Sequence, residues 1–118
     1  MDPHFDGVIF QTHAAELERR LRKPFPSWCA VDVRSAAEFA VGHLPGSISM
    51  SADELSAGLP EGTDRATEFF VIGSAPGDAR VRPVSEALRR HGTHRVVEFG
   101  GGLAEWEAFG FALDQPEA

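Results

Sequence analysis

Hydrophobic residues in this chain form short runs separated by polar or glycine-rich segments. Two of these runs are apolar without clean alternation, which is typical of strands buried on both faces of a parallel sheet. Three further β-prone segments extend the set. The predicted strands are Gly7–Gln11, Trp28–Val33, Ser47–Met50, Phe69–Ile72 and Arg95–Phe99.

Helix signals lie between the predicted strands. Ser35 and Ser51 are each followed three residues later by a glutamate, Glu38 and Glu54, which is the spacing of a capping box. The triple glycine after the last predicted strand leads into a further helical segment that carries Trp106. These signals predict three helix starts.

Two more helices are predicted from single residues. Thr12 is placed to cap a helix over His13–Arg22. Pro83 is expected to open a helix, because the apolar residues Val84, Ala87 and Leu88 then recur at i, i+3 and i+4. Strands that alternate with helices through short links predict an α/β fold, a parallel sheet covered on both faces. Ligands of such sheets bind beyond the carboxyl ends of the strands.

The strand–loop–helix over Phe69–Leu88 is the strongest candidate for a site. Its loop, Gly73–Arg80, joins a buried strand to a helix start, and this geometry directs backbone N–H groups at one point where an anion can bind. Arg80 and Arg82 add positive charge, whereas Asp78 repels anions and is expected to cap the helix or to pair with either arginine. The loop contains no cysteine.

Composition narrows the functional classes. The 118 residues, treated as a single domain over 1–118, carry a net charge of −7, which argues against general nucleic-acid binding. No apolar run approaches the roughly 20 residues of a membrane span, and the first residues show no secretory signal. A single cysteine, Cys29, indicates a reducing compartment, and a cytoplasmic location is predicted. The five histidines share no ligand spacing, so no metal and no cofactor is expected.

Two motifs resemble the signatures of rhodanese-like domains. The first contains Asp32, Arg34 and Glu38, then Gly42-His43-Leu44-Pro45-Gly46-Ser47. The second is Gly101-Gly102, Trp106 and Gly110. The resemblance extends from about residue 28 to residue 113. It implies a three-layer α/β domain with a parallel five-stranded central sheet, whose active members carry sulfur as a persulfide on one loop cysteine.

The central loop departs from the pattern of that family, which is like Cys-x-x-Gly-x-Arg. Counted from the strand, the cysteine position falls on Gly73 or Ser74, and counted back from Arg80 it falls on Ala75. The loop is therefore one or two residues longer than usual, and its length is similar to the Cys-x5-Arg loop of dual-specificity cell-cycle phosphatases. None of the three candidate residues has a thiol.

The missing thiol predicts a rhodanese-like domain that is not a sulfurtransferase. The resemblance to thiol-less members of the family implies that it serves as a binding or regulatory module for an unidentified protein partner. No catalytic residue is assigned to the degenerate loop, which consists of Gly73, Ser74, Ala75, Pro76, Gly77, Asp78, Ala79 and Arg80. A small oxyanion is the alternative ligand. Its candidate binding residues are Ser74, Gly77, Arg80, Arg82 and Arg34. There are two rival hypotheses. In one, the loop is closed by its own contacts. In the other, it supports weak hydrolase or phosphatase-like chemistry at Ser74 and Arg80.

The remaining motif residues have structural interpretations. Asp32 is expected to pair with Arg34, which either braces the strand end or faces the pocket, and His43 is expected to bond backbone. Gly101 and Gly102 permit a tight turn and close approach of a helix. Trp106 and Cys29 are expected in the core.

Overall fold

The computed structural model describes residues 8–24 and 27–115, and it forms an α/β domain with a five-stranded parallel sheet. The strands are β1 (Phe10–Thr12), β2 (Trp28–Asp32), β3 (Ile48–Ser49), β4 (Glu68–Ile72) and β5 (Arg95–Phe99). The helices are α1 (Ala14–Arg20), α2 (Ala36–Val41), α3 (Ala52–Ala57), α4 (Val81–Arg90) and α5 (Gly102–Ala108). The predicted fold class is confirmed.

The sheet order is β1-β5-β4-β2-β3, with β4 at the centre. All four strand pairs are parallel, and the register places Cys29 beside Phe69 and Asp32 beside Ile72. Every residue of β2 is buried, and so are the last four residues of β4. Continuous burial explains why these strands are apolar runs without alternation.

Two hydrophobic clusters cover the two faces of the sheet. One contains Leu17 of α1 and Trp106 of α5, which pack near Phe70 and Phe99. The other contains Leu55 of α3 with residues of α4, including Leu88. Helices therefore cover both faces, which leaves the strand ends as the place where polar groups can reach solvent. Among the described residues, no helix is long and apolar enough to cross a membrane.

Two predicted helix starts are wrong. Thr12 is the last residue of β1, and the residue before α1 is His13, whose side chain makes no capping hydrogen bond. Helix α4 begins at Val81, two residues before Pro83, because the loop already turns at Asp78 and Arg80. Gly7, where the first strand was predicted to begin, lies outside the described residues.

The two capping boxes are confirmed. Ser35 accepts a hydrogen bond from the N–H of Glu38, whose carboxylate accepts one from the N–H of Ser35. Ser51 and Glu54 make the same reciprocal pair at the start of α3. These boxes satisfy N–H groups that a short helix would otherwise leave without partners.

Candidate functional site around the loop after β4

The candidate site lies where the sheet topology switches direction. Strands β2 and β4 are neighbours, but the chain that leaves β2 runs outward to β3, whereas the chain that leaves β4 runs the other way to β5. The two connections separate at the carboxyl ends of these strands and leave a crevice there. The loop Gly73–Arg80 lies at this point, directly after β4.

The carboxylate of Asp78 accepts hydrogen bonds from two backbone N–H groups of this loop and from its arginine. It accepts from the backbone N–H of Ser74 at 2.8 Å and from the backbone N–H of Arg80 at 3.0 Å. The Arg80 guanidinium donates two more, from Nε at 2.9 Å and from Nη2 at 2.8 Å. Only 7% of the Asp78 side chain is exposed. The N–H groups of Ser74 and Arg80 and the Arg80 guanidinium form a cradle, which thus holds a carboxylate supplied by the loop itself.

Arg80 also joins the loop to α2. Its Nη1 lies 2.9 Å from Oε1 of Glu38, and its Nη2 donates to Oγ of Ser74 at 2.9 Å. Hydrogen bonds from Arg80 lower the pKa of Glu38 to about 2 and hold the pKa of Asp78 well below its usual range. The same two carboxylates raise the pKa of the Arg80 guanidinium. One arginine is therefore shared by two ionised carboxylates.

Ser74 contacts the carboxylate of Glu38, and the sequence did not predict this contact. Its hydroxyl donates to Oε2 of Glu38 at 3.3 Å, although the two residues are 36 positions apart. Sequence reasoning identified Glu38 only as a cap, since nothing local indicates that its second oxygen reaches this loop. A carboxylate with a pKa of about 2 is a weak base near neutral pH, so it activates a hydroxyl poorly.

Close packing fixes the start of the loop. A Cβ on Gly73 would lie 2.8 Å from Cγ2 of Val81 and 2.9 Å from Cβ of Asp78. On the other side, the N–H groups of Leu103 and Ala104 donate to the carbonyls of Gly73 and Ser74. The first turn of α5 therefore holds the loop through its backbone.

The second motif supplies the glycine that this contact needs. Gly102 has φ +61, and a Cβ there would lie 2.7 Å from the carbonyl oxygen of Gly73. Trp106, one turn later, is buried and donates from Nε1 to the carbonyl of Ala112. The predicted close approach of a helix is confirmed at Gly102.

The first motif braces the neighbouring strand end. The guanidinium of Arg34 donates to both oxygens of Asp32 and, at 2.7 Å, to the carbonyl of Gly42. Both side chains are buried, so Arg34 is engaged inside the fold. His43 contacts the carbonyl of Phe39 through Nδ1 at 2.9 Å, as predicted. Gly46 adopts φ +78 in the turn that follows Pro45.

Arg82 contacts a different carboxylate from those that bind Arg80. It makes a two-pronged ion pair with Glu98 of β5, at 2.8 and 3.0 Å. Glu98 is buried and also accepts from Gln11 and Ser85, each at 2.8 Å. Burial works to raise the pKa of Glu98, but the hydrogen bonds from these three partners outweigh it and lower the pKa. Sequence reasoning missed this buried carboxylate, because a glutamate at this position of a strand looks solvent-facing.

The single thiol of the chain lies away from the loop. Cys29 pairs with Phe69 in the sheet register, three residues before the end of β4, which is about 10 Å along the strand. It is 3% exposed, and burial raises the pKa of its thiol to about 11. Cys29 is a core residue, as predicted.

The chain belongs to the rhodanese-like domain family, whose model matches residues 13–109. It is 25% identical over 108 residues to a protein of Cronobacter sakazakii named tRNA uridine(34) hydroxylase, and 26% identical over 110 residues to an Escherichia coli protein of the same name. These alignments cover 89% of this chain but 31% of the relatives, so the chain spans about a third of their length.

Two solved structures share the fold of this chain. The Alr3790 protein of Anabaena sp. is 27% identical, has a TM-score of 0.75, and is matched over 88% of this chain and 80% of its own. A single-domain sulfurtransferase of Saccharomyces cerevisiae, RDL2, has a TM-score of 0.72 at 19% identity, covering 87% of this chain and 92% of its own. The second likeness shows the fold alone.

Proposed function

We propose that this chain is a rhodanese-like domain that does not carry sulfur and acts as a protein-binding module. The observation that carries the proposal is the content of the loop after β4, where Gly73, Ser74 and Ala75 occupy the candidate cysteine positions. A persulfide needs a soft, ionisable sulfur as its acceptor, and a serine hydroxyl cannot hold one. The only thiol, Cys29, is buried in β2.

The charges of the loop support the same proposal. A thiosulfate or persulfide substrate is anionic, and in this loop the N–H groups of Ser74 and Arg80 and the guanidinium of Arg80 already bind Asp78. A free oxyanion would have to displace a carboxylate that is covalently part of the loop. We therefore infer that the loop is closed to oxyanions.

The names of the relatives carry over only in part. The yeast protein is named a sulfurtransferase. The thiol that sulfur transfer requires is missing from the loop of this chain. The hydroxylases are about three times as long as the matching segment, and a chain of net charge −7 is poorly suited to holding RNA by itself. We propose a protein partner and, because a lone free thiol stays reduced there, a cytoplasmic location.

The direct test is sulfur transfer from thiosulfate to cyanide, in which the outer sulfur leaves as thiocyanate and sulfite remains. We expect no thiocyanate above the buffer rate from the wild type or from Cys29→Ser. Turnover that survives Cys29→Ser, or a persulfide trapped on any residue at the mouth of the loop, would overturn the proposal.

A second candidate function, hydrolysis by a serine nucleophile, is favoured by one contact, the 3.3 Å hydrogen bond from Ser74 to Glu38. The low pKa of Glu38 and the hydrogen bond from Arg80 to the same hydroxyl both oppose activation. Hydrolysis of p-nitrophenyl acetate and p-nitrophenyl phosphate by the wild type and by Ser74→Ala tests it. We expect equal rates, and a rate that depends on Ser74 would favour the enzyme.

A further inference from the structure

A groove beside the closed loop has the chemistry of a peptide-docking site. It lies between the first turns of α3 and α4, next to the end of β2, and has a volume of about 360 Å³. Its wall is formed by small or branched apolar side chains, those of Val33, Ala52, Ala79, Pro83 and Val84. A groove of this size and composition is suited to one apolar side chain from a partner.

The charge at the rim of the groove is negative. Asp53 and Arg80 both line it, and Arg80 is already bound by Asp78 and Glu38. Glu38 and Asp78 do not line the groove, but their carboxylates offset the charge of Arg80, so Asp53 supplies the remaining charge at the rim. Asp53 is exposed and has no ion-pair partner among the described residues. The rim therefore offers a carboxylate to a cation.

Several backbone donors near the groove are occupied. The capping box uses the N–H groups of Ser51 and Glu54, and Asp78 uses those of Ser74 and Arg80. An anionic partner would therefore meet the Asp53 carboxylate with fewer donors to compensate for the repulsion. A lysine or arginine would find Asp53 ready to pair with it.

We infer that the partner docks through an apolar side chain that is followed by a lysine or arginine, the apolar group in the groove and the cation on Asp53. This inference rests on the proposed binding function and names the chemistry of its ligand. The inferred ligand is a cation, whereas a loop that receives thiosulfate is expected to prefer an anion. The overall charge of −7 acts in the same direction.

The probe is a capped tetrapeptide, acetyl-Ala-Leu-Lys-Ala-amide, titrated into the ¹⁵N-labelled chain. We expect saturable shifts centred on the amides of residues 51–53 and 79–84. Replacing the peptide lysine by glutamate should abolish saturation, and replacing its leucine by alanine should weaken binding about tenfold because the apolar contact is lost.

Protein variants locate the cation. Asp53→Asn should weaken binding of the lysine peptide about twofold to fivefold, as removal of an exposed ion pair does. Glu61→Gln, which changes an exposed carboxylate in a surface loop outside the groove, should leave the affinity unchanged. Added salt should weaken binding to the wild type more than binding to Asp53→Asn.

Three results would overturn the inference. They are equal or tighter binding of the glutamate peptide, no saturable shift up to about 5 mM lysine peptide, and a saturable response of residues 73–80 to inorganic phosphate. None of these results bears on the thiosulfate assay. Conversely, thiocyanate turnover would remove the proposed function whatever the peptides do, so the two failures are distinguishable.

Discussion

Two turns at the same edge of the sheet contain the same local motif. Asp32 is the last residue of β2 and Arg34 follows it, whereas Asp78 and Arg80 lie in the loop after β4, each pair being two residues apart. In both, the backbone N–H of the arginine donates to the aspartate, at 2.9 and 3.0 Å. Its Nη2 also donates to the second oxygen, at 2.9 and 2.8 Å. The two pairs therefore share three hydrogen bonds from the arginine to the aspartate.

The two pairs differ in their surroundings. The side chains of Asp32 and Arg34 are 0% and 4% exposed, whereas those of Asp78 and Arg80 are 7% and 44% exposed. Arg34 has a backbone carbonyl as its further partner, and Arg80 has a second carboxylate. The same motif therefore braces the fold where it is buried and closes the cradle where it borders solvent.

The strongest test of this contrast is Asp32→Ala. The change leaves the Arg34 guanidinium buried with one carbonyl partner, so we expect a loss of about 3–5 kcal/mol in the free energy of unfolding. Asp78→Ala, the matched variant, should cost about 1 kcal/mol because Arg80 keeps Glu38 and water. Urea denaturation measures both, and equal costs would show that burial does not distinguish the pairs.

A thiol at the start of the loop should strain the chain without making it an enzyme. Gly73→Cys adds a Cβ 2.8–2.9 Å from Val81 and Asp78, and overpacking of this kind costs about 1–3 kcal/mol. Ser74→Cys is the control, since it adds sulfur without a new Cβ. We expect neither variant to form thiocyanate efficiently, because the loop keeps its extra length.

A double variant locates the strain. Asp78→Gly removes one of the two close neighbours of the new Cβ, so combining it with Gly73→Cys should recover about 0.5–1 kcal/mol relative to additivity. Urea denaturation of the two single variants and the double variant completes the cycle. Strict additivity would mean that Asp78 does not fill the space in which a loop thiol would sit.

Removing the carboxylate from the cradle should change what the loop binds. Asp78→Ala frees the N–H groups of Ser74 and Arg80 together with two guanidinium donors. We expect sulfate to bind this variant at least about tenfold more tightly than the wild type, as measured by amide shifts of the loop. The control is Asp32→Asn, at the buried pair, which should give no such gain. Sulfate binding of equal strength by the wild type would show that Asp78 does not block the N–H groups of the loop.

The smallest effect is a pH dependence. A carboxyl whose pKa is lowered on folding stabilises the native state above its unfolded pKa, and the contribution disappears as the pH falls through the folded value. For Glu38 that window runs from about 4.5 down to about 2. The stability difference between the wild type and Glu38→Gln should therefore shrink as the pH is lowered from about 5 to about 3.

The control for this titration is Glu54→Gln, which removes the carboxylate of the other capping box without breaking an ion pair with an arginine. Equilibrium urea unfolding at each pH supplies the comparison. A difference between the wild type and Glu38→Gln that stays constant, or grows, toward low pH would show that Arg80 does not hold Glu38 ionised.

The sequence predicted the elements that depend on local chemistry. Apolar runs located the strands, because strands covered on both faces are mostly apolar, with Asp32 and Glu98 as buried exceptions. The boxes at Ser35 and Ser51 were predictable, since all their atoms lie within four residues. The starts of α1 and α4 were not, because the preceding strand and the turn at Asp78 determine them.

The chain by itself determined the fold class, the family motifs and the absence of a thiol from the loop, since each is written in residue identity and spacing. Tertiary structure alone decided what the loop does with its charges. Glu38 reaches Arg80 across 42 positions, and Glu98 meets Arg82 only because β5 lies beside β4. Electrostatic partners depend on distance in space, and folding, not sequence order, fixes that distance.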